Sequence, residues 1–221
     1  MLPKKIRETF MGRGPEDSVF RSQSHYEIGL RLSGKGLYDQ ALAEFSYAIK
    51  LNPDFAEPHL ELGSIYLHLD RLDEAIEAYS EALRIRPDYV EAYSNLGLVY
   101  DRLGNFIKAL SMFLKAIRYR PNDCDLRRNL GLVYFNIGSY SEAIKAYQRA
   151  IQISPADGQS HYRLALVHLD REDKESAMEE QKILKELGHD DLAALLLDEV
   201  QRQTWRVAPG ANREQKTGAR D

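Results

Sequence analysis

Four prolines, Pro53, Pro87, Pro121 and Pro155, recur at a constant interval of 34 residues. Gly29, Gly63, Gly97 and Gly131 keep the same step, as do Ala41, Ala75, Ala109 and Ala143. So do the aromatics Phe45, Tyr79, Phe113 and Tyr147, and then Ala48, Ala82, Ala116 and Ala150. Five independent markers hold through four consecutive copies without a slip. Such a period means that each copy is one supersecondary unit. One unit cannot bury its own apolar face, so neighbours must stack to make the core.

The spacing inside a copy says what that unit is. With copies counted from residues 22, 56, 90, 124 and 158, positions 4, 7, 8 and 11 fall at three- and four-residue steps on one helical face. In the third copy they are Tyr93, Leu96, Gly97 and Tyr100. Glycine inside a helix costs about 1 kcal/mol relative to alanine. Its recurrence at position 8 therefore predicts close approach of a second helix, with the alanine at position 20 facing it. Gly36, Gly104 and Gly138 stand at position 15 and Asp70 takes that place in the second copy, which predicts a left-handed turn ending the first helix. Proline at position 32 cannot continue the second helix, so each unit stops there.

These residues resemble the tetratricopeptide repeat family: a small residue at position 8, alanines at 20 and 27, an aromatic at 24 and proline at 32. The resemblance covers residues 22–157 strongly and 158–191 weakly. It implies an all-α fold, a right-handed superhelical α-solenoid of stacked helix–turn–helix repeats, with units 22–55, 56–89, 90–123, 124–157 and a degenerate 158–189. Position 4, often Trp in the family, holds His25, His59, Tyr93, Arg127 and His161. In the fifth unit Ala165, Gln181, Leu184 and His189 replace the markers. Residues 190–205 read as a capping helix with an N-cap at Asp190 or Asp191 and an apolar stripe of Leu192, Leu195, Leu196 and Val200. Residues 206–221 are polar and read as a disordered tail. Residues 1–21 are expected to be loose, with Val19 and Phe20 available to pack on the first repeat.

Composition excludes several classes. The chain is 43% hydrophobic and 29% charged with a formal net charge of −4, so nothing global advertises nucleic acid. No apolar run approaches a bilayer span or a secretion signal. Cys124 is the single cysteine and cannot form an internal disulfide, which fits a reducing, cytoplasmic setting.

In the resembled family the first helices line a concave groove. Positions 2, 5, 6, 9 and 13 lie opposite the packing face and so point into it. Asn95 and Asn129 share position 6 of adjacent units. A carboxamide both donates and accepts, so such a row can pair with an extended peptide backbone. The pair is similar to the asparagine ladder of the tetratricopeptide domain in enzymes that attach N-acetylglucosamine to Ser and Thr, here two rungs long. The face is acidic in the first two units, while each of the last three contributes an arginine: Arg102, Arg128 and Arg163. Such a gradient would orient a charged peptide. The candidate partner-binding residues are Asn95, Asn129, Arg102, Arg128, Arg163, Leu98, Leu132, Glu61 and Glu91. The Lys/Asn/Arg frame with which co-chaperones of this family clamp a C-terminal carboxylate is missing, with acids where lysines are needed.

No catalytic residue, cofactor site or metal site is expected. His25, His59 and His161 share position 4, whole repeats apart, and read as ring packing, as does His168 at position 11. Cys124 has no partner at ligand spacing, and no phosphate loop, nucleophile elbow or HExxH occurs. The sequence thus describes a non-enzymatic scaffold or adaptor that holds an extended peptide or partner helix and supports a multiprotein complex. The rivals are a self-associating structural component, joined through its terminal repeats as a homo-oligomer, and a substrate-recruiting subunit of a separate enzyme.

Overall fold

The amphipathic periods of the sequence become helices of nearly constant length. A computed structural model describes the backbone of residues 15–207 and the side chains of residues 17–202. The described residues form eleven helices and no strand. Residues 1–14 and the tail from 208 onward lie outside them. The helices are α1 (Pro15–Ser33), α2 (Tyr38–Leu51), α3 (Ala56–His68), α4 (Leu72–Ile85), α5 (Val90–Arg102), α6 (Phe106–Tyr119), α7 (Cys124–Asn136), α8 (Tyr140–Ile153), α9 (Gly158–Asp170), α10 (Lys174–Glu186) and α11 (Asp190–Val207). None is long and apolar enough to cross a membrane.

The chain divides at Arg120 and Pro121 into two compact units. In the first, α1/α2, α3/α4 and α5/α6 form three helical hairpins; α3 also packs on α1 and α2, and α5 on α3 and α4. In the second, α7/α8 and α9/α10 are the hairpins, α9 packs on α7 and α8, and α11 lies against α9 and α10.

Each hairpin turns through a left-handed residue at position 15. Gly104 has φ +70°, and the two positions without glycine adopt the same conformation, Asp70 at +60° and Glu172 at +63°. At Asp70 the paired bonds of a helix C-terminus close the turn: Arg71 N donates to Tyr66 O (2.8 Å) and Asp70 N to Leu67 O (3.2 Å). Several helix starts are capped by side chains. Asp123, Asp157 and Asp173 accept from Leu126, Ser160 and Ser176 N, each at 3.1 Å.

What covers the position-8 glycine differs from the sequence expectation. It is the aromatic ring of position 24, not the alanine at position 20. A Cβ on Gly63 would stand 2.6 Å from the Tyr79 ring, and one on Gly97 2.9 Å from that of Phe113. Tyr79 and Phe113 are both fully buried. The degenerate fifth repeat obeys the same rule in reverse. Position 24 is Gln181 rather than a ring, and position 8 is then a fully buried Ala165. Gln181 is itself buried and donates Nε2–H to Ala193 O of α11 (3.3 Å). Loss of the marker therefore coincides with attachment of the terminal helix.

Two terminal details depart from expectation. The first helix begins at Pro15, ahead of residue 22, and Val19 and Phe20 do not pack: they are 52% and 71% exposed. On α11, Ala193, Leu196 and Val200 enter the core of the second unit with Leu192 partly covered, whereas Leu195 is 54% exposed. At 100° per residue, Leu195 lies off the stripe that 192, 196 and 200 form.

Candidate protein-interaction site

The face opposite the packing stripe is reached by residues of α1, α3 and α5 in the first unit and α7 and α9 in the second. Position 6 reads Glu27, Glu61, Asn95, Asn129 and Arg163 along the five repeats, passing from acid through amide to base.

Much of the charge expected to meet a ligand is committed within the fold. Glu91 on α5 pairs with Arg120 at 2.6 Å, and Glu57 on α3 with Arg86 in the same register. Arg86 also lies over the Tyr89 ring at 4.1 Å. In both repeats the arginine at position 31, past the end of the second helix, returns to the acid at position 2 of the first. Arg102 binds Asp70 Oδ1 at 3.1 Å, tying α5 to the preceding left-handed turn. Arg128 on α7 donates to Asp157 Oδ2 at 2.8 Å and also to Asp125. Asp157 is the N-cap of α9 and further accepts from Ser160 Oγ (2.5 Å) and Cys124 Sγ (3.5 Å). Burial opposes the Arg128 charge, yet the bonds to Asp157 and Asp125 outweigh it and raise its pKa. Burial likewise opposes ionisation of Asp157. The bonds from Ser160, Arg128 and Cys124 outweigh it and hold the carboxyl below the ordinary Asp range.

Asn95 is also engaged. The buried Tyr79 hydroxyl bonds Ser64 Oγ at 3.3 Å and the Asn95 side chain. Burial pushes that phenol up to about 12, with both bonds working the other way. Asn129 belongs to the second unit and makes no side-chain hydrogen bond among the described residues.

With Asn129, four more predicted residues remain open to a partner. Glu61 is half-buried, and burial raises its pKa, with no hydrogen bond or ion pair among the described residues. Beside it lies Tyr26, whose phenol is raised to about 12 by burial and then by the Glu61 and Glu57 charges. Leu98 and Leu132 are half-buried. Arg163, on α9, has no ion pair among the described residues. The sequence reading missed the position-31 arginines, although the constant 29-residue offset of Glu57–Arg86 and Glu91–Arg120 was there to be found.

The histidines do more than pack. His25 Nδ1 lies 2.6 Å from Glu44 Oε2 and His161 Nδ1 2.6 Å from Glu180 Oε2, positions 4 and 23 in both repeats. Among the described residues no group of three or more His, Cys, Asp or Glu is placed to hold a metal ion.

Comparison with known proteins agrees with this architecture. No curated protein matches the sequence. A crystal structure of MamA is 26% identical, covers 74% of this chain and 96% of its own, and has a TM-score of 0.68. MamA from Desulfovibrio magneticus RS-1 is 21% identical over 77% of this chain and 96% of its own, with a TM-score of 0.71. YrrB, described as a TPR protein with an unusual peptide-binding site, is 20% identical over 85% of this chain and 98% of its own, at a TM-score of 0.66. Family models described as TPR repeat match residues 29–70 and 63–104, and one described as Tetratricopeptide repeat matches 94–158. Together they span more than half of the chain, in the frame set by its prolines, glycines and aromatics, and the chain belongs to the tetratricopeptide repeat family.

Proposed function

We propose that this chain is a non-catalytic scaffold that holds an extended peptide or a partner helix on the first-helix face of its repeats, and so joins a multiprotein complex. The observation that carries the reading is Glu61. Glu91, Arg102 and Arg128 are each satisfied inside the fold, whereas Glu61 is half-buried without a partner and bears a desolvation cost. A basic side chain of a ligand would offset that cost and form a charge-assisted bond in a partly dry setting. Leu98 supplies apolar surface in the same unit. In the second unit Arg163 is the corresponding anchor for an acidic group, beside Asn129 and Leu132.

The test is affinity purification with the full chain and with a Glu61→Gln, Arg163→Gln variant, read by quantitative mass spectrometry. Partners retained by the parent and lost by the variant, at unchanged helicity and melting, support the reading. Equal recovery of the same partners overturns it. Val19 and Phe20, exposed on α1, favour a second reading, self-association of the chain through its first helix. Sedimentation over a range of concentrations decides that one, since a strict monomer excludes it.

A further inference from the structure

The first unit carries a second surface, on the side opposite the first-helix face. The second helices α4 and α6 leave between them a hollow of about 440 Å³. Its floor is Tyr93, Leu96 and Tyr100 of α5 with Met112 of α6, and Lys108 and Lys115 rise at its edge. An adjoining hollow of about 270 Å³ shares Tyr93 and Lys115 and adds Arg118 and Tyr119. The Lys108 ammonium lies 5.0 Å from the centre of the Tyr100 ring and that of Lys115 5.6 Å from Tyr93. Tyr93 and Tyr119 stack at 6.2 Å. The tyrosines thus hold the lysines along the rim.

The other repeats serve as internal controls. The helix α6, FIKALSMFLKAIRY, has three cations and no acid, whereas α4, LDEAIEAYSEALRI, has four acids and one arginine. Position 19 is Lys108 here but Gln40, Glu74, Glu142 and Ser176 elsewhere, and position 26 is Lys115 against Tyr47, Glu81, Arg149 and Ile183. Among the described residues Lys108, Lys115 and Arg118 have no carboxylate partner, although the chain as a whole is acidic. Arg84, also at the edge, is bound to Glu81. No other repeat has a cation at both positions.

We propose that this groove docks an acidic amphipathic helix of a partner protein, its apolar residues on Tyr93, Leu96 and Met112 and its carboxylates on Lys108, Lys115 and Arg118. The occupant follows from the complementarity: an apolar floor asks for one face of a helix, and an unpaired basic rim asks for acids flanking it. The site is independent of Glu61 and Arg163.

The probe is a synthetic amphipathic helix with Leu and Phe on one face and Glu at its margins, followed by fluorescence anisotropy with the full chain. Saturable binding that weakens as salt rises is expected. A Lys108→Glu, Lys115→Glu variant of unchanged melting should bind at least tenfold more weakly and should prefer the same peptide with Lys in place of Glu. The Glu61→Gln, Arg163→Gln variant should bind as the parent does. No saturable binding below millimolar peptide overturns the proposal. So does equal binding of the Lys peptide by the parent, or an unchanged affinity after the charge reversal.

Discussion

The rule that a ring at position 24 requires glycine at position 8 can be tested as a coupling between two side chains. In the third repeat, a methyl added at residue 97 would lie 2.9 Å from Phe113 Cε2 and Cζ and 3.1 Å from Cε1. Phe113 is fully buried, so its ring cannot swing aside. Gly97→Ala gains about 1 kcal/mol of helix propensity but overpacks a closed core at a cost of about 1–3 kcal/mol. A net loss of about 1 kcal/mol is expected. Phe113→Leu alone leaves a void and costs about 1–2 kcal/mol. Together the added methyl enters the space the ring has left, as Ala165 does where Gln181 replaces the ring. The double variant should therefore be more stable than the sum of the singles by about 1–2 kcal/mol. Urea unfolding followed by circular dichroism measures this, with unchanged m-values confirming that the same cooperative unit is compared. A Gly97→Ala protein more stable than the parent, or additivity within about 0.5 kcal/mol, refutes the reasoning.

Three further outcomes follow from single sites. Glu172 holds φ +63°, so Glu172→Gly should relieve left-handed strain and raise stability by about 1 kcal/mol, read as a higher Tm. Asn95→Ala removes a partner of the buried Tyr79 hydroxyl and should cost about 1 kcal/mol in urea, so it perturbs the fold as well as any ligand contact. Asp157 has its carboxyl held below the ordinary range, so its contribution to stability is fully present above the unfolded value near 4 and fades as pH falls through the folded value. Arg128→Met should lower Tm at neutral pH and flatten that acid limb, while an unchanged limb in a pH series of melting curves would show that Asp157 is not held down by Arg128.

The hairpins, their left-handed turns and their stops were legible because each rests on a local rule: helical period, φ at position 15, proline at 32. Even Asp70 and Glu172 take the glycine conformation, since the turn is imposed by the packed hairpin rather than by the residue. The partner of the position-8 glycine was not legible, because small residues at 8 and 20 both announce close approach without saying which faces which. Arg102, Arg128 and Glu91 were assigned to the groove-facing register, yet that frame asks only where a residue points along its own helix. Their partners come from the preceding turn, from the next helix cap and from the end of the second helix. Leu195 failed for a simpler reason: adjacency in an apolar run is not adjacency on a face.

A repeat protein contains its own control at every position, and that comparison separates charges that build the fold from charges kept for something else. Where position 4 is His and position 23 is Glu, as at His25/Glu44 and His161/Glu180, the two meet at 2.6 Å. Where position 23 is Ala78, Met112 or Ala146, no such pair can form. Where position 2 is Glu and position 31 is Arg, those two meet as well. Each such pair forms where both halves are present; His59, opposite Ala78, has the histidine without the acid. Glu61, Arg163, Lys108 and Lys115 do not change with any partner inside the fold. Half-burial of an unpaired carboxylate opposes stability, and the ring contacts of Lys108 and Lys115 leave their charge without a carboxylate, so internal pairing does not account for them. On the two readings proposed above binding accounts for them, and within the first unit the two sets stand on different faces and carry opposite charge, Glu61 suited to a basic ligand and the α4–α6 groove to an acidic one. A scaffold built this way could hold two partners at once, and charge reversal at one face should leave the other partner bound.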